Sequence, residues 1–312
     1  MDNIKQVLLA PNEIPSPDEH RDANRFPFMV STKLDGMRCF IRHGELLTRS
    51  MKHQANVRLG EHLRHLIEWT RVTGSAIDGE LYSKDLGFNE LSGILRSHSQ
   101  RIPDHIQFYA FDVLQPMQGI IMDTPFNFRD TFLQDEYDRL RWPNVRPLFH
   151  RIVTTRKELV DTYDSVLDLG MEGLMLRNPH GRYKSGRATI KENILYKMKP
   201  FDELDAVISG FNEQQSIRPD AKRFYNEMGN LARTSRAENL FDADTMGSLK
   251  VRDEKGREFA IGWGPGWTHE RRKTLWDMRL ELIGRWVKLR YFPYGEKDLP
   301  RMPQLLALRD SK

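Results

Sequence analysis

The sequence has one cysteine, Cys39, in 312 residues. A single cysteine excludes an internal disulfide and any cysteine-rich zinc module. It fits a reducing compartment such as the cytoplasm. Cys39 sits in a strand-like run, Cys39-Phe40-Ile41-Arg42, and reads as a small buried apolar residue. Long apolar runs are also missing, which excludes a transmembrane helix. The start, Met1-Asp2-Asn3-Ile4-Lys5, carries no signal-peptide pattern. A strong charge of either sign is absent, since 48 basic residues against 44 acidic ones leave a net charge of +4. So mild a bias permits a nucleic-acid partner without showing one, and any phosphate-binding charge must be gathered on one face. A hydrophobic content of 39% and a charged content of 29% fit a globular chain. The length suits two domains, each able to bury its own core.

The chain is organised around Lys33-Leu34-Asp35-Gly36-Met37-Arg38. An apolar run, Phe26-Pro27-Phe28-Met29-Val30, precedes it and reads as a strand entering a site. Lysine, with a reference pKa of about 10.4, is normally too well protonated to attack anything. It becomes a nucleophile when burial or neighbouring cations lower that value. Arg38 is expected to supply such a cation or to grip phosphate bidentately. Gly36 is expected to let the backbone turn closely beside a ligand. Six residues alone read equally well as a surface loop, so the rest of the chain decides.

Residues 1–25 hold Pro11, Pro15 and Pro17 among polar residues and read as an irregular lead-in. Alternation from Arg38 to Leu47 around His43-Gly44-Glu45 predicts a hairpin. Leu59, Leu63, Leu66, Ile67 and Thr70 recur at helical spacing, which predicts a helix over 56–72. His62 and His65 lack a third ligand and read as exposed helix residues. Short helices are expected over 88–96, 128–140 and 157–169, the last ending at Gly170 as its C-cap. Residues 106–114 form an aromatic and branched strand. Composition shifts near Phe201-Asp202-Glu203, which places a boundary between domains 1–201 and 202–312. In the second domain, strands are predicted at 205–211, 247–252, 258–262 and 286–292, with a helix from 268 to 278. Several short strands and one helix suit a small Greek-key barrel of the oligonucleotide-binding type.

Lys-x-Asp-Gly-x-Arg resembles motif I of the covalent nucleotidyltransferases, which comprise ATP-dependent DNA ligases, RNA ligases and mRNA capping enzymes. Further resemblances follow in family order from about Phe28 to Lys312. Thr48-Arg49-Ser50 resembles a pair that binds the 5′-phosphate side of a nick, which implicates Arg49. Asp78-Gly79-Glu80-Leu81 is similar to the strand whose glutamate serves the ribose and the metal, which implicates Glu80. Asp78 can be read in that strand or as a turn residue, and no chemistry is assigned to it. Residues 106–114 resemble motif III, with Phe111 stacking on adenine, and Arg129 matches the arginine of motif IIIa. Glu172-Gly173 before an apolar strand resembles motif IV, with Glu172 as the metal carboxylate. That strand ends in Arg177, where many relatives have lysine. Tyr183-Lys184-Ser185-Gly186-Arg187 is similar to a family loop. Lys197-Met198-Lys199 resembles motif V, and alternation puts both lysines on one strand face. Arg309 and Lys312 resemble the motif VI residues that reach the pyrophosphate of ATP.

The resemblance implies an α+β protein: an adenylation domain of antiparallel sheets followed by an oligonucleotide-binding barrel. It implies an ATP-dependent DNA ligase of minimal type, sealing nicked duplex DNA through a lysyl-AMP on Lys33. ATP and magnesium, with manganese able to substitute, are the implied cofactors. Lys33, Asp35, Lys197 and Lys199 would be catalytic. Thr32, Arg38, Glu80, Phe111, Arg129, Arg177, Arg309 and Lys312 would hold the nucleotide, and Glu80 and Glu172 the metal. The chain is expected to act as a cytoplasmic monomer, in a bacterial or phage-infected cell, without a membrane or protein partner. The lead-in leaves no room for the N-terminal domain of larger ligases. An RNA ligase is the nearest rival, and a non-catalytic nucleic-acid-binding relative is the rival of another class. Residues 212–246 exceed the usual connection between barrel strands and carry Arg218, Lys222 and Arg223 with Phe224 and Tyr225. They read either as a flexible surface insertion or as a clasp on duplex DNA.

Overall fold

The structure is a computed structural model that describes residues 4–11, 25–114, 122–226, 231–264, 266–292 and 299–309. Two compact units divide the chain between Lys199 and Pro200. Among the described residues, no helix is long and apolar enough to cross a membrane.

The first unit begins with β1 (Phe28–Thr32), β2 (Met37–Arg42) and β3 (Glu45–Leu47). Two short helices follow, α1 (Leu59–His62) and α2 (Arg64–Thr73), then β4 (Ala76–Tyr82), α3 (Phe88–Arg96) and β5 (Gln107–Leu114). Next come α4 (Phe126–Leu140), β6 (Val145–Pro147), β7 (Arg151–Val153) and α5 (Arg156–Asp168). Strands β8 (Leu174–Arg177) and β9 (Leu195–Met198) complete it. They form two sheets, ordered β3-β2-β4-β5-β6 and β7-β1-β8-β9. All pairings are antiparallel except β5 with β6.

Period-two alternation explains where the sheets are dry and where they are charged. Cys39, Ile41, Ile77, Leu81, Phe108 and Ala110 join the core under α1 to α4. Phe28, Val30, Leu174, Leu176, Tyr196 and Met198 join a second core with Leu159 of α5. The intervening positions, including Arg38, Asp78, Glu80, Met175, Arg177 and Lys197, therefore point to the opposite faces. Asp78 pairs with Asp112 and Gly79 with Ala110, so Phe111 is the extra residue of a bulge. Such a bulge re-aims side chains locally.

The hairpin between β2 and β3 turns at His43 and Gly44, both at positive φ, as a two-residue turn of this hand requires. Elsewhere the structure revises the sequence reading. The helix expected over 56–72 breaks at Leu63, which has φ −112° and ψ 19°. Asn144 donates from its side chain to the His62 carbonyl at 3.1 Å, taking an acceptor that a continuous helix would use. His62 is half-buried rather than exposed, and its Nε2 meets the Ile106 carbonyl at 2.8 Å. The lead-in is irregular but not peripheral. Ile4, Val7, Leu8 and Ala10 are buried and pack with Phe40, Leu114, Tyr183 and Leu195.

The second unit holds β10 (Asp202–Ile217), β11 (Arg223–Tyr225), β12 (Leu231–Arg233), β13 (Leu240–Asp253) and β14 (Glu258–Trp263). Helix α6 (His269–Asp277) precedes β15 (Trp286–Phe292) and β16 (Arg301–Arg309). Five strands close a barrel in the order β10-β13-β14-β16-β15, with β14 and β16 parallel. This is the connectivity of an oligonucleotide-binding barrel. Its interior holds Ala206, Ile208, Leu249, Val251, Ile261, Val287, Leu289 and Leu305. Arg309, quoted for its resemblance to motif VI, ends the barrel strand β16. The insertion is not a featureless loop. β10 and β13 stay paired out to Ile217 and Leu240, and β11 and β12 form a small hairpin beyond them.

Gly79 marks the tightest packing of the first core. A Cβ there would run into the Phe108 ring and the Tyr109 carbonyl. Gly79→Ala should cost about 1–3 kcal/mol and lower the unfolding midpoint by several degrees, measured by calorimetry. An unchanged midpoint would contradict the packing described.

Candidate active site

The charged faces of the two sheets bring most of the sequence-selected residues together. Lys33 follows β1, and its backbone N–H donates to the Gly173 carbonyl at 2.8 Å. That contact joins the end of β1 to the segment that leads into β8. Gly173 has φ 139°, and a Cβ would collide with the Met198 carbonyl, so glycine follows Glu172 for lack of room. Lys33 Nζ donates to Glu172 Oε2. Lys199 Nζ donates to the other oxygen, Oε1, at 2.9 Å. One carboxylate thus ties together the ends of β1 and β9. Lys199 lies one residue past β9, while Lys197 sits within it.

Lys197 has a lowered pKa, caused first by burial and then by Arg187, Lys199, Lys33 and Arg49. Arg49 is also lowered, by burial and then by Arg187 and Arg38. These five side chains therefore form one cationic cluster, with Glu172 engaging only Lys33 and Lys199. Clustered cations of this kind suit a polyanion. Arg187 was quoted in a loop motif without a role, and the structure shows that it belongs to this cluster.

Arg38 is not free to act as expected. Its Nε and Nη2 each lie 2.6 Å from the two oxygens of Asp78, and Nη2 also reaches the Leu8 carbonyl at 3.1 Å. Asp78 is buried in β4, not in a turn, and also accepts from the Tyr183 hydroxyl at 2.7 Å. A buried carboxylate needs such partners, so Arg38 is committed to holding it. Gly36 likewise serves protein packing. A Cβ there would collide with the Leu81 carbonyl and Glu80 Cγ, so glycine lets the Lys33 loop lie against β4.

Behind this layer is a second buried carboxylate. Asp112 accepts from Arg129 at 2.7 and 3.1 Å and from Arg177 at 2.7 Å. Burial would raise the Asp112 carboxyl, but Arg129 and Arg177 hold it below the ordinary carboxylate range. Arg129 also donates to the carbonyls of Thr124 and Gly181. Both arginines are buried and occupied, so they position neighbours rather than reach a ligand. Arg177 lies 4.5 Å from the Phe126 ring centre and 5.4 Å from that of Phe111. Arg38 lies 4.5 Å from the Phe111 ring centre. Asp112 falls within residues 106–114, the run that resembles motif III, and no role was expected of it. A charge inside an apolar strand was the available signal, since acids are almost never fully buried unless paired.

Thr32 ends β1 opposite Leu174. Asp35 is half-buried, and its charge helps raise the Tyr82 phenol, after burial and Tyr109. Arg218, Lys222 and Arg223 are exposed in the arm of the second unit, the insertion carried by the outer parts of β10 and β13. Arg309 lies in β16, and its Nη1 is 3.2 Å from Asp205. Lys312 lies outside the described residues.

Glu80 pairs across the sheet with Arg38 on one side and Tyr109 on the other. Its carboxyl is pushed up to about 7, first by burial and then by Asp78 and Glu172, against the pull of Arg38 and Lys33. Among the described residues, no group of three or more His, Cys, Asp or Glu side chains is placed to hold a metal ion. Glu80 and Glu172 fit a magnesium ion, which takes oxygen ligands, keeps several waters and needs one or two carboxylates.

A family model described as the ATP dependent DNA ligase domain matches residues 13–199. Another, described as the DNA ligase OB-like domain, matches residues 242–309. A DNA ligase of Natronomonas pharaonis is 26% identical over 305 residues, covering 91% of this chain and 52% of that protein. A DNA ligase of Methanococcus maripaludis is 23% identical over 205 residues, covering 57% of this chain and 35% of that protein. The chain thus spans about half, or less, of the curated relatives it matches. A solved structure described as a structure–function analysis of Lig E DNA ligases, binding DNA with a minimal scaffold, has a TM-score of 0.68 at 22% identity. The match covers 97% of this chain and 99% of that one. Chlorella virus DNA ligase–adenylate has a TM-score of 0.51 at 24% identity, covering 97% and 99%. These two likenesses concern the fold.

The Glu80 pKa has a consequence for stability. Its folded value lies above the ordinary 4.5, so the folded protein binds more protons than the unfolded chain between pH 4.5 and about 7. Stability therefore falls as pH rises through that window. Glu80→Gln should raise the unfolding midpoint of the ligand-free protein above pH 7 and leave it nearly unchanged near pH 4.5. An equal shift at both pH values would contradict the assigned charge state.

Proposed function

Because the chain belongs to the ATP-dependent DNA ligase family, we propose that it seals 5′-phosphate/3′-hydroxyl nicks in duplex DNA, using ATP. The observation that carries this reading is Lys33 at the mouth of a cationic cluster, beside two carboxylates able to hold a divalent ion. An ammonium has no lone pair, so Lys33 must lose a proton before it attacks, and Glu172 is the acceptor it already touches. Nζ then forms a bond to the α-phosphorus of ATP while the bond to the β-phosphate oxygen breaks and pyrophosphate leaves. Covalent catalysis of this kind divides a hard transfer into easier ones. Lys197 and Lys199 stabilise charge on the α-phosphate oxygens. Adenine lies on Phe111, which Arg38 and Arg177 brace. Glu80 accepts from ribose hydroxyls, and Thr32 lines the same end of β1. Bound magnesium, held by Glu80 and Glu172, would neutralise phosphate charge.

The AMP next passes to the 5′-phosphate of the nick, gripped by Arg49 and Arg187. The 3′-hydroxyl then attacks that phosphate and expels AMP, with Asp35 assisting. Arg309 and Lys312 serve the pyrophosphate in the first step. Residues 1–201 act as the adenylation domain and residues 202–312 as the barrel domain. The chain works as a monomer in the cytoplasm. The barrel, with its match to a DNA ligase model, favours this reading over an RNA ligase.

The arm of β10 to β13 is proposed as the clasp on the duplex. Its exposed residues combine Arg218, Lys222 and Arg223 with Phe224 and Tyr225. Ile217 and Leu240 pair directly, so residues 218–239 can be replaced by a short glycine turn. One experiment tests both levels. A labelled strand with a 5′-phosphate nick, in duplex DNA or in RNA, is incubated with protein, magnesium and ATP. Wild-type protein should seal the DNA nick preferentially, and Lys199→Ala should seal it at least about a hundred-fold more slowly. The arm deletion should weaken nicked-DNA binding roughly ten-fold while self-adenylation persists. Preferential sealing of RNA would sink the DNA reading, and unchanged DNA affinity would end the clasp.

A further inference from the structure

The tip of the arm carries an arrangement that protein packing does not account for. β11 and β12 are antiparallel, and their register sets Arg223 directly opposite Arg233. Directly opposed residues share a face, with Cβ atoms about 5 Å apart. Both guanidiniums are permanently charged, and like charges so placed destabilise a strand pair. Among the described residues, no carboxylate pairs with either one. Arg233 is half-buried, and its Nε is buried without a hydrogen-bond partner. A buried donor left unmet costs about 1–3 kcal/mol. Both side chains line a hollow of about 400 Å³ with Ile217, Leu231 and Ala232. The hollow is open to solvent and its lining is more polar than apolar, so an anion from outside can reach both guanidiniums.

An anion between the two guanidiniums would cancel the repulsion and satisfy Nε. Two planar forks converging on one site match a tetrahedral phosphate better than a lone carboxylate. We propose that Arg223 and Arg233 form a phosphate-binding site at the tip of the arm, and that its occupant is a backbone phosphodiester of the duplex. The proposal rests on the reading of the arm as a DNA clasp and makes it specific. The clasp acts through a preformed two-arginine grip rather than through diffuse positive charge. Arg218 and Lys222, which lie outside the hollow's lining, contribute only long-range attraction. A phosphate contact sets the register of the arm on the duplex and carries no base preference.

The test measures binding of the full chain to nicked duplex by fluorescence anisotropy across a salt series. Compared are wild type, the arm deletion, Arg223→Gln/Arg233→Gln, Arg223→Lys/Arg233→Lys and Arg218→Gln/Lys222→Gln. Unfolding midpoints of each protein check that the arm hairpin and barrel persist. The glutamine pair should reduce the slope of log affinity against log salt by about 1.8, two ion pairs at roughly 0.9 each. The lysine pair should keep most of the slope, yet bind several-fold more weakly than wild type because the forked geometry is lost. Losing Arg218 and Lys222 should weaken binding less than losing the pair.

If the deletion weakens binding but the glutamine pair keeps wild-type slope and affinity, the grip is wrong and the clasp stands. If the deletion itself binds like wild type, the clasp fails and the grip fails with it. A parallel arm adds inorganic phosphate alone and follows the unfolding midpoint. Stabilisation of wild type but not of the glutamine pair, with an unchanged DNA salt slope, would reassign the site to a free anion and overturn the duplex as its occupant.

Discussion

A single carboxylate shared by two lysines holds the centre of this molecule together. Glu172 accepts from Lys33 and from Lys199, which lie 139 and 27 residues from it in the sequence. Neither lysine is fully buried, with side-chain exposures of 23% and 12%, against 8% for Glu172. Their ammonium groups can therefore exchange the carboxylate for a phosphate without crossing a dry barrier. The backbone bond from Lys33 to Gly173 fixes where that exchange takes place.

Around this centre, charge is sorted into two kinds. Asp78 and Asp112 are buried and permanently matched, the first by Arg38 and Tyr183, the second by Arg129 and Arg177. Breaking such a buried pair from one side is strongly unfavourable, by about 3–5 kcal/mol, so these arginines are framework. Lys197, Arg49 and Arg187 are cations in a cluster with too few acids, and their mutual repulsion favours an incoming polyanion. Glu80 stands between the two kinds. It faces Arg38 yet is buried enough to resist ionisation, which leaves its charge open to control by whatever binds.

Much of this was legible because strands alternate. Alternation predicted the hairpin of β2 and β3 and set Lys197 and Lys199 on one face at β9 before any coordinates. The order of the motifs then identified the fold. Three features were not legible. The commitment of Arg38 to Asp78 depends on residues 40 positions apart, and nothing local distinguishes a gripping arginine from a bracing one. The helix break at Leu63 depends on Asn144, which takes a carbonyl from across the core. The insertion read either as loose or as a clasp because the outer parts of β10 and β13, residues 212–217 and 240–246, carry no alternating apolar pattern, and only long-range pairing makes them strands. The lead-in is irregular as read, and the burial of Ile4, Val7 and Leu8 was signalled only by their apolar side chains.

The most direct test of the account asks where the nucleotide becomes attached. The purified chain, first stripped with pyrophosphate, would be incubated with magnesium and ATP without DNA and analysed by intact-mass spectrometry and peptide mapping. The account predicts one added AMP moiety, confined to the peptide containing Lys33, absent in Lys33→Ala and sharply reduced in Glu172→Gln. An adduct on another lysine, or none in the wild-type protein, would contradict it.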